Sequence, residues 1–146
     1  MNLSVSQELK AFNDLHGEIG GVFHDAAVDA GISDSVQTIL YTILACGEDC
    51  TQADISRCTG TSRQTIHSAV RLLQQQGLLQ EAEGRRNQAL RLTPAGEVFA
   101  LRTVGPILQA EKQVFAAWPA EDCQALLTLT RRYLTDLQKY YHKESL

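Results

Sequence analysis

A chain of 146 residues, 44% hydrophobic and 21% charged, has the make-up of a folded protein with a core of its own and not of a disordered segment. No apolar run approaches the ~20 residues a membrane span needs, and the opening MNLSVSQELK lacks a basic stretch followed by an apolar one, so a cytoplasmic protein without membrane contact is expected. The net charge of −4 is unevenly spread: residues 1–54 hold nine acids and Lys10 alone, 55–95 hold six arginines against Glu81 and Glu83, and 96–146 hold six of each sign. The positive excess is all arginine, whose planar fork suits phosphate and guanine.

Six helices and one hairpin are predicted in chain order. The first helix spans about 6–29, with Leu9, Phe12, Leu15, Ile19, Val22, Phe23 and Ala26 at helical spacing. Gly17, Gly20 and Gly21 inside it each cost about 1 kcal/mol against Ala, so it needs packing support or bends. The second helix spans about 35–46, with Asp34 and Gln37 read as a capping box and Val36, Ile39, Leu40, Ile43 and Leu44 as its buried stripe. The third starts at Thr51, with Asp54 completing a box and Ala53, Ile55 and Cys58 turned inward.

The fourth helix runs from an N-cap at Ser62 to Gly77. Ile66, Ala69, Val70 and Leu73 form one face; Gln64, Ser68, Arg71 and Gln75 form the opposite face, flanked by Arg63 and His67. No acid occurs between Ile55 and Gln80. A solvated helix normally mixes both signs, so this face suits a polyanion. Two short apolar runs, 78–81 and 89–92, follow as a hairpin with Arg85 and Arg86 near its tip. Thr93-Pro94 opens a long helix to about Ala117, kinked at Gly105-Pro106. Trp118-Pro119 starts the last helix, to about His142, whose apolar residues continue through Tyr141.

A short helix, a Thr-Gly-Thr-Ser turn, a polar-faced helix and an arginine-tipped hairpin form a winged helix-turn-helix. The stretch TQADISRCTGTSRQTIHSAVRLLQQQGLLQ (51–80), the wing exit ALRLTPAGE (89–97) and the flanking helices resemble the MarR family of bacterial transcription regulators. The resemblance implies a mainly α fold with a small β wing: a DNA-binding lobe over 34–93, and a helical dimerisation region formed by 1–33 and 94–146. It further implies a homodimer, probing a pseudopalindromic double-stranded DNA operator as a repressor. Ser62, Arg63, Gln64, His67, Ser68 and Arg71 would face the major groove, where Gln pairs with adenine and Arg with guanine. Arg85 and Arg86 would meet the backbone or minor groove. The family commonly has an Asp two residues before the wing arginine that Arg86 matches; here that place is Gly84. Relatives bind small aromatic or anionic effectors, for which Phe23, His24, Tyr41 and Trp118 are the candidate lining residues.

Other constellations give less. Cys46, Cys50, Cys58 and Cys123 lack C-x-x-C spacing, which favours buried, reduced thiols over a redox switch, although the first three lie around one corner. His16 and His24 with Glu18 or Asp25 do not make a metal-ligand pattern, and no cofactor is expected. Gly-x-Ser-x-Gly, phosphate-loop and His-Glu-x-x-His patterns are all missing, so no enzyme is expected. The alternatives to a DNA-binding regulator are a winged-helix module that binds a protein and a cysteine-based redox regulator.

Overall fold

The computed structural model describes residues 4–47, 50–82 and 88–143. Its elements are α1 (Gln7–Ala30), α2 (Asp34–Cys46), α3 (Gln52–Thr59), α4 (Arg63–Gln75), β1 (Leu79–Glu81), β2 (Leu90–Leu92), α5 (Pro94–Thr103), α6 (Gly105–Ala117) and α7 (Ala120–Lys143). This is the expected class, mainly helical with one small antiparallel sheet. Two compact units divide the chain, Met1–Leu108 and Gln109–Leu146. Among the described residues no helix is long and apolar enough to cross a membrane.

The long helix expected after Thr93 is two helices. Its first part ends at Thr103, and α6 begins at Gly105. Pro106 has no N–H for the carbonyl four residues back, and its ring crowds that carbonyl, so the helix is interrupted at Val104, beside the expected Gly105-Pro106 site.

Side-chain oxygens set the helix starts. Ser6 accepts from the Leu9 N–H at 3.1 Å and Ser62 from that of Thr65 at 3.2 Å. Thr51 and Asp54 form the predicted capping box, with reciprocal bonds of 3.1 and 3.0 Å. At α2 the predicted box is wrong. Ser33 is the N-cap, accepting from the Val36 N–H at 3.2 Å, and Asp34 occupies the first turn, where its charge suits the helix dipole. Gln37 is thereby freed from capping and turns inward, only 4% exposed.

The core of the first unit is built on α2. Val36, Ile39, Leu40 and Ile43 meet Ile66, Ala69, Val70 and Leu73 of α4, the same four residues that helical spacing predicts. Ile55, Leu79, Leu90, Ala100, Val104 and Ile107 complete the cluster. On α3, Ala53 and Cys58 are exposed, contrary to expectation, and Ile55 alone is buried. Ala53 lies two residues from Ile55, about 200° around the helix, and Cys58 sits in the last turn.

The sheet pairs Leu79 with Leu92, Gln80 with Arg91 and Glu81 with Leu90. The Leu90 N–H also donates to the Cys50 carbonyl at 2.7 Å, tying β2 to the connection before α3. Thr93 fastens the other side. Its hydroxyl donates to the Gly77 carbonyl at 2.7 Å, its N–H donates to the Leu78 carbonyl at 3.1 Å, and the hydroxyl oxygen caps α5 at Gly96. Gly96 lies so close to Leu78 that a Cβ there would stand 1.8 Å from the Leu78 carbonyl oxygen.

α1 is continuous through Gly17, Gly20 and Gly21. Only Ala27 of this helix is buried, with Phe23 and Ala26 packed partly against the core. Leu9, Phe12, Leu15, Ile19 and Val22 stay exposed. In the second unit, Leu126, Leu127, Tyr133, Leu134, Leu137, Tyr140 and Tyr141 of α7 are exposed as well.

Candidate nucleic-acid interface and an adjoining cavity

The turn between α3 and α4 is held from within. Gly60 adopts a left-handed φ of 68°, which a side chain would disfavour. The Thr59 hydroxyl donates to the Ile55 carbonyl at 2.7 Å and accepts from the Thr61 N–H at 3.2 Å. Ser56 Oγ donates to the Thr61 carbonyl at 2.9 Å. Helix α4 therefore starts at a defined place and angle, with four apolar residues anchoring one face.

Its other face carries the residues expected there. Ser62, Arg63, Gln64, His67, Ser68 and Arg71 are all exposed. Ser62 is partly spent on the helix itself, since its hydroxyl also donates to Thr65 Oγ1 at 2.9 Å. A groove of about 420 Å³ runs along this side, lined by Gln64, Thr65, Ser68 and Leu72 of α4 and by Ser33, Ser35 and Val36 at the start of α2. Ser33 and Ser35 were missed from sequence. Reading Ser33 as the cap of α2 would have placed both hydroxyls at that helix end. Arg85, Arg86 and Gly84 lie outside the described residues.

Behind the helix-turn-helix, the first unit contains a cavity of about 320 Å³. Gly20, Phe23 and His24 of α1 form one wall. Asp34, Gln37, Thr38, Tyr41 and Thr42 of α2 form another, and Thr59 closes the end at α3. The Phe23 and Tyr41 rings meet edge to face, with centroids 6.0 Å apart at 72°. His24 Nδ1 lies 3.0 Å from both Asp34 carboxylate oxygens. That hydrogen bond, reinforced by the Asp34 charge, raises the His24 pKa above its ordinary value. The Thr42 hydroxyl donates to the Thr38 carbonyl at 2.7 Å, whereas the buried Gln37 Nε2 has no partner among the protein atoms. Three of the four expected effector residues, Phe23, His24 and Tyr41, thus come together. Trp118 belongs to the second unit, where its ring stands 6.3 Å from that of Phe115.

The cysteines differ from one another. Cys50 is buried, Cys46 and Cys58 are exposed and Cys123 is intermediate, so the expectation of four core thiols holds for Cys50 alone. Burial, with Cys46 nearby, pushes the Cys50 thiol up to about 12 and keeps it protonated at neutral pH. Among the described residues, no group of three His, Cys, Asp or Glu side chains could hold a metal ion. His24 is engaged by Asp34 instead.

The sequence model of the MarR family matches residues 30–87, the span from the end of α1 to the wing. No curated protein sequence matches the chain. Among solved structures, NMB1585, a MarR family regulator from Neisseria meningitidis, is similar over 95% of this chain and 99% of its own, with a TM-score of 0.81 at 21% identity. MepR from S. aureus, solved as a DNA complex, matches 90% of this chain and 96% of its own with a TM-score of 0.68 at 15% identity. BpsR of Bordetella bronchiseptica, whose DNA binding is regulated by 6-hydroxynicotinic acid, covers 91% of this chain and 97% of its own with a TM-score of 0.61 at 18% identity. The chain is thus similar in sequence to the MarR family over residues 30–87, and its fold is that of solved MarR-family regulators over nearly its whole length.

Proposed function

We propose that the protein is a homodimeric, sequence-specific DNA-binding repressor of transcription, responsive to a small aromatic or anionic effector. The observation that carries this reading is the exposed, acid-free face of α4 on a helix anchored by Ile66, Ala69, Val70 and Leu73. Gln64, His67, Ser68 and Arg71 would reach base edges, with Ser62 and Arg63 at the helix start; Arg85 and Arg86 of the wing would meet phosphate or the minor groove. The groove hydroxyls of Ser33 and Ser35 fit phosphate contacts beside them.

The exposed apolar stripes support the dimer. On α7, Leu126, Tyr133 and Tyr140 recur every seven residues, as do Leu127, Leu134 and Tyr141. Monomers seldom leave such stripes in water. Residues 1–33 and 94–146 would form the dimerisation region and 34–93 the DNA lobe, with the two recognition helices about 34 Å apart on a pseudopalindrome.

Selection from a randomised duplex pool, followed by gel shift, tests the reading. The expected result is enrichment of a two-fold site bound well above random DNA. The acidic residues 1–54 favour one rival, a winged helix that docks on a protein, and failure to enrich any duplex would point there. For a cysteine-based switch, the protonated Cys50 is a poor nucleophile.

A further inference from the structure

The residues lining the groove beside α4 are uncharged, yet Asp34 stands between two of them, Ser33 and Ser35, in the first turn of α2. A carboxylate at that place repels the phosphate for which the groove hydroxyls are suited. Asp34 is not alone there. His24 Nδ1 of α1 lies 3.0 Å from both of its oxygens, and the two side chains are 60% and 63% exposed, so the pair exchanges protons with solvent. With the imidazole protonated the pair is neutral overall; with it unprotonated the pair carries a full negative charge. The other charge acting on His24 is Asp25 of its own helix. Of the residues that line the cavity with it, Tyr41 of α2 is titratable, whereas Gln37, Thr38 and Thr42 of α2 and Thr59 of α3 are not. Helix α5, which also packs on α1, carries Glu97 and Arg102, and neither is among the charges acting on His24.

We propose that the His24–Asp34 pair makes DNA binding proton-linked: DNA is held by the form whose imidazole carries a proton and cancels the Asp34 charge, and is released as that proton leaves. The proposal rests on the DNA-binding reading above and adds a condition to it. Asp34 raises the His24 pKa, so the pair is neutral below the ordinary histidine value of 6.5 and turns negative as pH climbs through the raised one. A nearby phosphate favours the proton further, so binding DNA takes protons up. Because the pair is exposed and screened by salt, the gain is about two- to fivefold at one half-site, and the square of that for a dimer on a two-fold site.

The test measures the affinity of the full chain for a random-sequence duplex, and for the selected one, by fluorescence anisotropy at low salt, at about pH 6 and about pH 8.5. The wild type should bind both duplexes several-fold tighter at the acid pH. His24→Gln should lose that gain. Asp34→Asn should bind at the alkaline pH about as tightly as the wild type does at the acid one. His67→Gln removes the imidazole of the recognition face itself, and most of the acid-to-alkaline ratio should outlast it. A ratio that survives His24→Gln and disappears with His67→Gln would overturn the proposal. If a variant does not fold, ring-proton NMR of the wild type decides: the His24 midpoint should rise when the random duplex is added, and an unmoved midpoint would count against the link. Binding that is the same at both pH values sinks this proposal alone. Failure to bind either duplex at any pH sinks the DNA-binding reading and the proton link with it.

Discussion

At the scale of single residues, close approach and pairing make specific demands. Gly96 admits no Cβ because the Leu78 carbonyl already occupies that space. Gly96→Ala should destabilise the fold by about 3 kcal/mol, at the upper end for overpacking, since the start of α5 must move off the sheet. A thermal melt checks this; an unchanged midpoint would mean the contact yields freely. His24 offers a second test. Its pKa is raised by Asp34, so the pair's contribution is complete below the ordinary histidine value of 6.5 and fades as pH climbs through the raised one. Asp34→Asn should bring the His24 titration midpoint back down. Ring-proton NMR titration of both proteins measures it, and coincident curves would show that Asp34 does not hold the imidazole in solution.

At the scale of elements, α4 divides its labour between faces. The buried face sets position, and the exposed face is free for recognition. Gln64→Ala should cost about 1–3 kcal/mol on the selected site and little on random DNA, because only a base edge tells the two apart. Arg86→Ala, in the wing, should weaken both duplexes alike and reduce the salt slope by roughly one, because a phosphate contact releases a counterion irrespective of sequence. Fluorescence anisotropy across a salt series separates these outcomes. Equal losses for Gln64→Ala on both duplexes would remove it from the base-reading set. With Gly84 in the place of the family's aspartate, the wing effect should be smaller than in relatives.

At the scale of the whole molecule, the single chain leaves too much apolar surface in water. α1 carries three glycines and buries only Ala27 within the chain, yet it spans Gln7–Ala30 without a break. A second copy covering Leu9, Phe12, Leu15, Ile19 and Val22 would supply the missing support. Leu134→Glu with Leu137→Glu should convert the proposed dimer to a monomer or an aggregate, read by light scattering. Deletion of 1–30 or 121–146 should likewise not leave a stable, well-folded monomer. A dimer that survives the double substitution would move the interface off α7.

What the sequence determined by itself is a large part of what periodicity and local capping control. Ile66, Ala69, Val70 and Leu73 are buried as spaced, the Thr51–Asp54 box closes, and the wing strands pair within a residue of the expected runs. Such features depend on residues a turn or two apart, so a linear reading reaches them. The tertiary structure alone decided the rest. Whether Ser33 or Asp34 caps α2 depends on where the chain enters the core, and that choice turns Gln37 from a cap residue into a buried donor. That Gln37 and Thr59, and not Trp118, join the expected Phe23, His24 and Tyr41 around one cavity follows from three helices brought together across the chain. Asp34 finds His24 ten residues away, and Gly96 finds the Leu78 carbonyl across the wing. Contacts of that kind leave no periodic trace, because packing and not spacing selects their partners.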